Sequence, residues 1–159
     1  MTDPIRPTDD EARALARGLL RDARIASLAT LGGDGAPMVT RVALGLAPDG
    51  APVTLVSDLS QHTRAMRADP RVSLLVGEAG GRGDPLTHPR LTLQAQAEPL
   101  PRGGTAHAEH AKGWLESHPK SRLYIGFADF GFVRFRVSAA FLNGGFGRAF
   151  NLTPADLGL

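Results

Sequence analysis

The alternation of apolar and polar positions changes period several times along the chain, and each change marks an element. Near the start Ala12, Leu15, Ala16, Leu19 and Leu20 recur at helical spacing behind Thr8-Asp9-Asp10-Glu11, a capping-box pattern, which predicts an amphipathic helix up to about Arg21. The period then shortens to two. Arg24 to Leu31 reads as a first strand, closed by Gly32-Gly33-Asp34-Gly35, whose Asp-Gly supplies the positive φ of a hairpin turn. Pro37 to Leu46 is a second strand, and Ala47-Pro48-Asp49-Gly50 turns it into Val53-Thr54-Leu55-Val56. Three antiparallel strands in a meander are expected.

From Ser57 to Arg64 the pattern turns polar, and a short helix from about Ser60 ends at Asp69-Pro70. Arg71 to Val76 is a fourth strand and Leu91 to Ala97 a fifth, joined by an irregular connection through Gly80 to Pro85. Thr105 is placed to cap a helix through Ala106, Ala108, Ala111, Trp114 and Leu115 that Pro119 ends. Trp114 is expected as a core or interface anchor. Phe130 to Val137 alternates as a sixth strand, with Phe127, Phe130, Phe132 and Phe135 chiefly in the core. No repeat or linker interrupts residues 1–159, so one domain is expected: a helix over 1–21, a barrel with inserted helices over 22–150, and a tail over 151–159. The class is mainly β with flanking helices (α+β). About six antiparallel strands close most economically as a small barrel, which removes exposed edges.

Composition then narrows the chemistry. The chain has no cysteine, which excludes disulfides, thiolate metal sites and a cysteine nucleophile. With 18 basic and 16 acidic residues the balance is nearly even, so no nucleic-acid partner is implied. The first residues lack a signal-peptide pattern and no apolar run approaches the roughly 18 residues of a membrane span. A cytoplasmic protein without a membrane association is expected.

The chemistry gathers where the third strand meets its helix. Ser57, Ser60, Gln61, His62, Thr63 and Arg64 crowd one helix start, where unpaired backbone N–H groups and the helix dipole favour an anion. An ordinary polar turn capping a short helix is the plainer reading of the same residues. His107 and His110 stand three apart on a helix, a spacing open to metal, but with no third ligand they read as a solvated helix face, and no metal is expected. Gly144-Gly145-Phe146-Gly147 lacks the strand-to-helix setting of a dinucleotide loop; it lets backbone approach a ligand or simply turns the chain, with Arg148 beside it as a possible substrate or phosphate partner.

Gly35-Ala36-Pro37, Pro48-Asp49-Gly50, Leu55 to Arg64 and Asp69 to Leu75 together resemble the FMN-binding split barrel of pyridoxamine 5′-phosphate oxidase-like proteins. Leu59-Ser60-Gln61-His62-Thr63-Arg64, Gly83-Asp84-Pro85-Leu86, Arg90 to Leu93 and Asn143 to Ala149 are similar to the HugZ-type branch, which is associated with haem utilisation. The resemblance covers roughly residues 20 to 157. It implies a homodimer with two FMN sites at the subunit interface. Ser57, Ser60, Gln61, His62 and Thr63 then fall at phosphate and ribityl contacts, Thr40, Arg41 and Val42 on the strand lining the flavin ring, and Arg41 and Arg64 are the expected phosphate cations. Gln61-His62 stands where the oxidases proper carry an Arg-Lys pair, and their C-terminal Trp and Arg-Leu-His-Asp-like segment has no counterpart here, so pyridoxamine 5′-phosphate oxidation is not expected. Haem-degrading HugZ-type proteins carry a C-terminal histidine beyond the barrel, and this sequence stops at Leu159 without one. The resemblance implies an FMN-dependent oxidoreductase for a small or medium aromatic substrate. The alternatives are a noncatalytic flavin or haem storage module and a cofactor-free dimerisation barrel.

Overall fold

The computed structural model describes residues 3–159. Nine strands and three α-helices follow in order: β1 (Ile5–Arg6), α1 (Asp10–Asp22), β2 (Ile25–Leu31), β3 (Pro37–Ala43), β4 (Gly45–Leu46), β5 (Pro52–Ser57), α2 (Gln61–Ala68), β6 (Arg71–Val76), β7 (Arg90–Pro99), α3 (Gly104–Ser117), β8 (Phe130–Asn143) and β9 (Ala149–Leu152). Short 3-10 turns occupy Pro85–Thr87, Pro119–Leu123 and Ala155–Leu157. The strands form one mixed sheet in the order β1-β9-β8-β7-β6-β2-β3, with the β4–β5 pair joined to β8. β1 runs parallel to β9, and every other pairing is antiparallel.

The meander fails at its third strand. The expected second strand breaks at Leu44, whose side chain is fully buried and whose N–H donates to Arg24 O. β5 keeps only a two-residue hairpin with β4 and then pairs with β8 from Val53↔Arg134 to Ser57↔Phe130. Nor does the ladder close. β3 pairs only with β2, and Thr54 Oγ1 donating to Ala43 O is a side-chain bridge across the gap to β5. The result is a sheet curled into a split barrel whose seam lies between β3 and β5.

Two cores explain the burial of β5, in which every residue from Pro52 to Val56 is buried. Val56 joins the main core of Leu28, Leu74, Leu91, Leu93, Val133 and Phe135, while Val53 and Leu55 turn the other way onto Phe132 and Trp114. A strand covered on both faces reads as continuous apolar sequence rather than as alternation. β8 continues to Asn143, six residues beyond the predicted end, because of a bulge. Val137 pairs with Ala95 and Ala139 with Gln94, so Ser138 is extra, and the inward parity shifts from Val133, Phe135 and Val137 to Ala140 and Leu142. A period-two reading stops where the parity flips.

Helix starts differ from expectation by a residue or two. Asp9, not Thr8, caps α1 by accepting from Ala12 N–H, while the Thr8 hydroxyl donates to Asn151 O. Gly103, at φ 78°, takes the capping position of α3 in place of Thr105. The small Ala12 and Ala16 let α1 seat Leu20 in the main core. Phe127 is 58% exposed rather than in the core.

Candidate functional site

The seam is also a cleft. Arg41, Val42 and Ala43 of β3 form one wall, Leu55, Val56 and Ser57 of β5 the other, and Ser60, His62, Tyr124 and Phe130 complete a space of about 210 Å³. Strand register positions this set: Ser57↔Phe130 brings the loop after β5 against the start of β8, and β3 lies opposite with its outer edge unpaired.

Of the residues singled out in sequence, Arg41, Val42, Ser57, Ser60 and His62 line this cleft together. Thr40 joins them through its Oγ1, 3.1 Å from His62 Nδ1. Gln61 and Arg64 are exposed on α2. Thr63 is buried and faces a separate cavity of about 60 Å³ between α2, β5 and β8, where its hydroxyl has no partner among the described residues.

Charge is distributed unevenly around the cleft. Arg41 and Arg64 make no ion pair or side-chain hydrogen bond among the described residues, whereas Arg67 and Arg102 both engage Asp58. Ser60 precedes α2 without using its side chain as a cap. The first turn-closing bond of the helix is Arg64 N–H to Ser60 O, which leaves the amides of Gln61, His62 and Thr63 without a protein acceptor among the described residues. Burial pushes the His62 imidazole below its ordinary range, so at neutral pH it is an uncharged donor–acceptor and not a cation. Ser57 is committed locally. Its Oγ donates to Asp129 and accepts from Leu59 N–H, so a carboxylate stands at that end. An anion is therefore favoured on the Ser60 and Arg41 side of the cleft and opposed beside Ser57.

Tyr124, Asp129 and Phe130 were not singled out for the site. No local pattern marks them, because only the β5–β8 pairing brings them to a loop some 70 residues earlier. Other candidates fall elsewhere. His107 and His110 do not form a solvated face: both are half-buried with their rings 5.6 and 6.0 Å from Phe132, and His110 Nδ1 donates to Ala106 O. Arg148 donates to Glu11 on α1, and the glycine-rich segment beside it makes the β8–β9 turn. Among the described residues no group of three His, Cys, Asp or Glu is placed to hold a metal, and no helix is long and apolar enough to cross a membrane.

The split-barrel geometry agrees with comparisons of the chain. The family described as pyridoxamine 5′-phosphate oxidase matches residues 12–142. The chain belongs to this family. Within the pyridoxamine 5′-phosphate oxidase family its relatives match the HugZ-type, haem-associated branch. It is 32% identical to the non-canonical heme oxygenase HOZ of Arabidopsis thaliana over 123 residues, 70% of this chain and 36% of that one. A heme binding protein from Mycobacterium smegmatis superposes with a TM-score of 0.83 at 33% identity, covering 97% of this chain and 61% of that one. The chain thus spans about a third of the first relative's length and under two thirds of the second's. HutZ, the heme storage protein of Vibrio cholerae, superposes with a TM-score of 0.69 at 20% identity over 85% of this chain and 92% of that one, which shows the shared fold.

Proposed function

We propose that the protein binds FMN noncovalently in the seam cleft and works as a flavin-dependent oxidoreductase on a small or medium aromatic substrate. One observation carries the reading: Arg41, without an ion pair, and Ser60, without a side-chain bond, line one cleft at the start of α2, whose first three amides have no protein acceptor among the described residues, and Val42, Leu55, Tyr124 and Phe130 give that cleft apolar and aromatic walls. That is the donor set a phosphate monoester needs, with a surface suited to a ring system beyond it. Arg41, Ser60 and the α2 amides would hold the phosphate, with Arg64 adding charge nearby, while Val42, Tyr124 and Phe130 would flank the ring. Bound flavin supplies hydride or electron transfer; the protein's residues bind it, orient it and exclude water.

A homodimer belongs to the same proposal. Across the outer face of the sheet the paired residues Arg41, Ser27, Leu75, Thr92 and Phe141 form one row, and Val39, Ala29, Ser73, Gln94 and Ala139 the next. Both rows are small or apolar apart from Arg41 and Gln94, and Val39, Leu75 and Phe141 are 66%, 43% and 40% exposed. A second copy on this face would bury these side chains and complete the cleft beside Arg41.

The deciding experiment is the absorption spectrum and mass of the ligand carried by gently purified protein, followed by FMN titration. Absence of yellow colour together with no binding of FMN at micromolar concentration refutes the reading. A second reading, haem or flavin storage without turnover, is favoured by the heme-binding relatives and by His62. Its Nδ1 faces Thr40 and its ring is neutral, which leaves Nε2 as a nitrogen able to meet iron. A Soret shift on haem titration that His62→Gln abolishes, with no NAD(P)H-dependent reduction of added FMN, would establish storage over catalysis.

A further inference from the structure

The chain contains one tryptophan and one tyrosine, and a single buried serine links them. Trp114 Nε1 lies 2.9 Å from Ser121 Oγ, and Ser121 Oγ lies 3.0 Å from the Tyr124 hydroxyl. Trp114 sits on α3, 3% exposed and wedged so closely against β4 that a Cβ on Gly45 would lie 3.0 Å from its ring. Ser121, in the 3-10 turn after α3, is 2% exposed. Tyr124 lines the seam cleft with its ring centroid 4.9 Å from that of Phe130.

The direction of this chain follows from counting protons. An indole N–H can only donate, so Ser121 Oγ accepts from Trp114. The serine has one proton of its own, and the only further partner of its oxygen among the described residues is the Tyr124 oxygen. At this depth an unmade hydroxyl bond costs roughly 1–3 kcal/mol, so Ser121 donates to Tyr124 rather than accepting from it. The phenolic oxygen is therefore already an acceptor, and its own proton has no partner among the described residues.

We infer that Tyr124 is a ligand-recognising donor of the seam cleft, oriented by the chain Trp114 to Ser121 to Tyr124, and that it selects a planar aromatic ligand bearing a carbonyl or other acceptor at its edge. This inference rests on the flavin reading of the cleft, since the isoalloxazine ring has that chemistry. Tyr124 touches the ligand; Ser121 is a positioning residue. Phe130 beside it presents a second aromatic surface but no proton, so shape is shared between the two rings and hydrogen-bond recognition falls to Tyr124.

The test compares FMN titrations of the intact wild-type protein, Tyr124→Phe, Ser121→Ala and Ser121→Thr, with thermal melting as the folding control. Tyr124→Phe keeps the ring and is expected to weaken FMN binding roughly three- to tenfold, the range of a lost neutral hydrogen bond. It is also expected to alter the fine structure of the bound flavin's visible absorption band. Ser121→Ala weakens binding less and shifts the emission of Trp114 in the ligand-free protein, and Ser121→Thr restores both. Equal FMN affinity and an identical flavin spectrum in wild type and Tyr124→Phe overturn the inference while leaving the flavin reading standing. Failure of the wild type itself to bind FMN overturns the flavin reading, and the inference with it.

Discussion

Arg41→Ala probes the phosphate seat most cleanly, because Arg41 makes no ion pair or side-chain hydrogen bond among the described residues and its removal leaves no protein group unpaired. The fold is thus expected to be untouched, with melting temperature within about 2 °C of wild type, since surface changes of this kind stay within about 0.5 kcal/mol. A charge-assisted hydrogen bond contributes roughly 1.5–3 kcal/mol. Arg41 is exposed in the single chain, so water and salt screen it and the lower end applies, about tenfold in FMN affinity. The assay pairs the variant with riboflavin, which lacks the phosphate. Wild type should prefer FMN over riboflavin, and Arg41→Ala should lose about tenfold for FMN while riboflavin binding barely changes. Added salt should weaken FMN binding to wild type more than to the variant, and Arg41→Lys should recover part of the loss, because an ammonium restores charge without the planar fork. Equal losses for both ligands would show that Arg41 supports the ring pocket and not the phosphate, which would refute the reasoning.

Asp129→Asn should tighten FMN binding by about two- to fivefold, since it keeps an acceptor for Ser57 and removes a negative charge beside the seat; weaker binding in the titration would mean that the carboxylate serves the ligand. His62 has its pKa lowered by burial, so its neutral form favours the fold at pH above the unfolded value of 6.5, and that contribution is lost as pH falls from 6.5 through the lower folded value. Melting temperature followed from pH 8 to pH 5 should therefore fall more steeply for wild type than for His62→Gln. Gly77 has φ +92°, and a Cβ there would lie 2.6 Å from Pro89 O and 2.9 Å from Arg90 Cα. Gly77→Ala should cost at least about 2 kcal/mol and lower the melting temperature by about 4–8 °C; an unchanged melting curve would show that the β6 exit relaxes freely.

What could be read in advance was governed by range. The capped helix α1, the strands β2 and β6 and the helix start at Ser60 are marked by caps, turns and apolar periodicity among residues a few positions apart, whichever strands later pair with them. The seam has a different origin. Whether β5 continues the hairpin or crosses to β8 is decided by burial on both its faces, and an apolar run is silent about which strand will cover it. The same limit applies at the site. Arg41, Ser60 and His62 could be marked from a helix start and a family pattern, but Asp129 reaches Ser57 only through the β5–β8 register, and Tyr124 acquires its direction from a tryptophan ten residues earlier whose role looked purely structural. Ser138 shows the cost of one extra residue, since the bulge reverses facing and hides the last third of β8 from a period-two reading.

The β5–β8 ladder also sets a clock. Val53 pairs with Arg134, 81 residues later, and among the described residues β5 has no other extended partner. At synthesis rates of 5–20 residues per second, roughly 4–16 s separate the emergence of this apolar strand from that of the strand that covers it. Over that interval Val53, Leu55 and Val56 are an open edge on a nascent chain, the kind of segment that chaperones bind and that aggregates when they do not. The strand that frames the cleft in the finished molecule is thus its most vulnerable part during birth, and variants that slow β8 should show their damage in yield on expression before it appears in the stability of the folded protein.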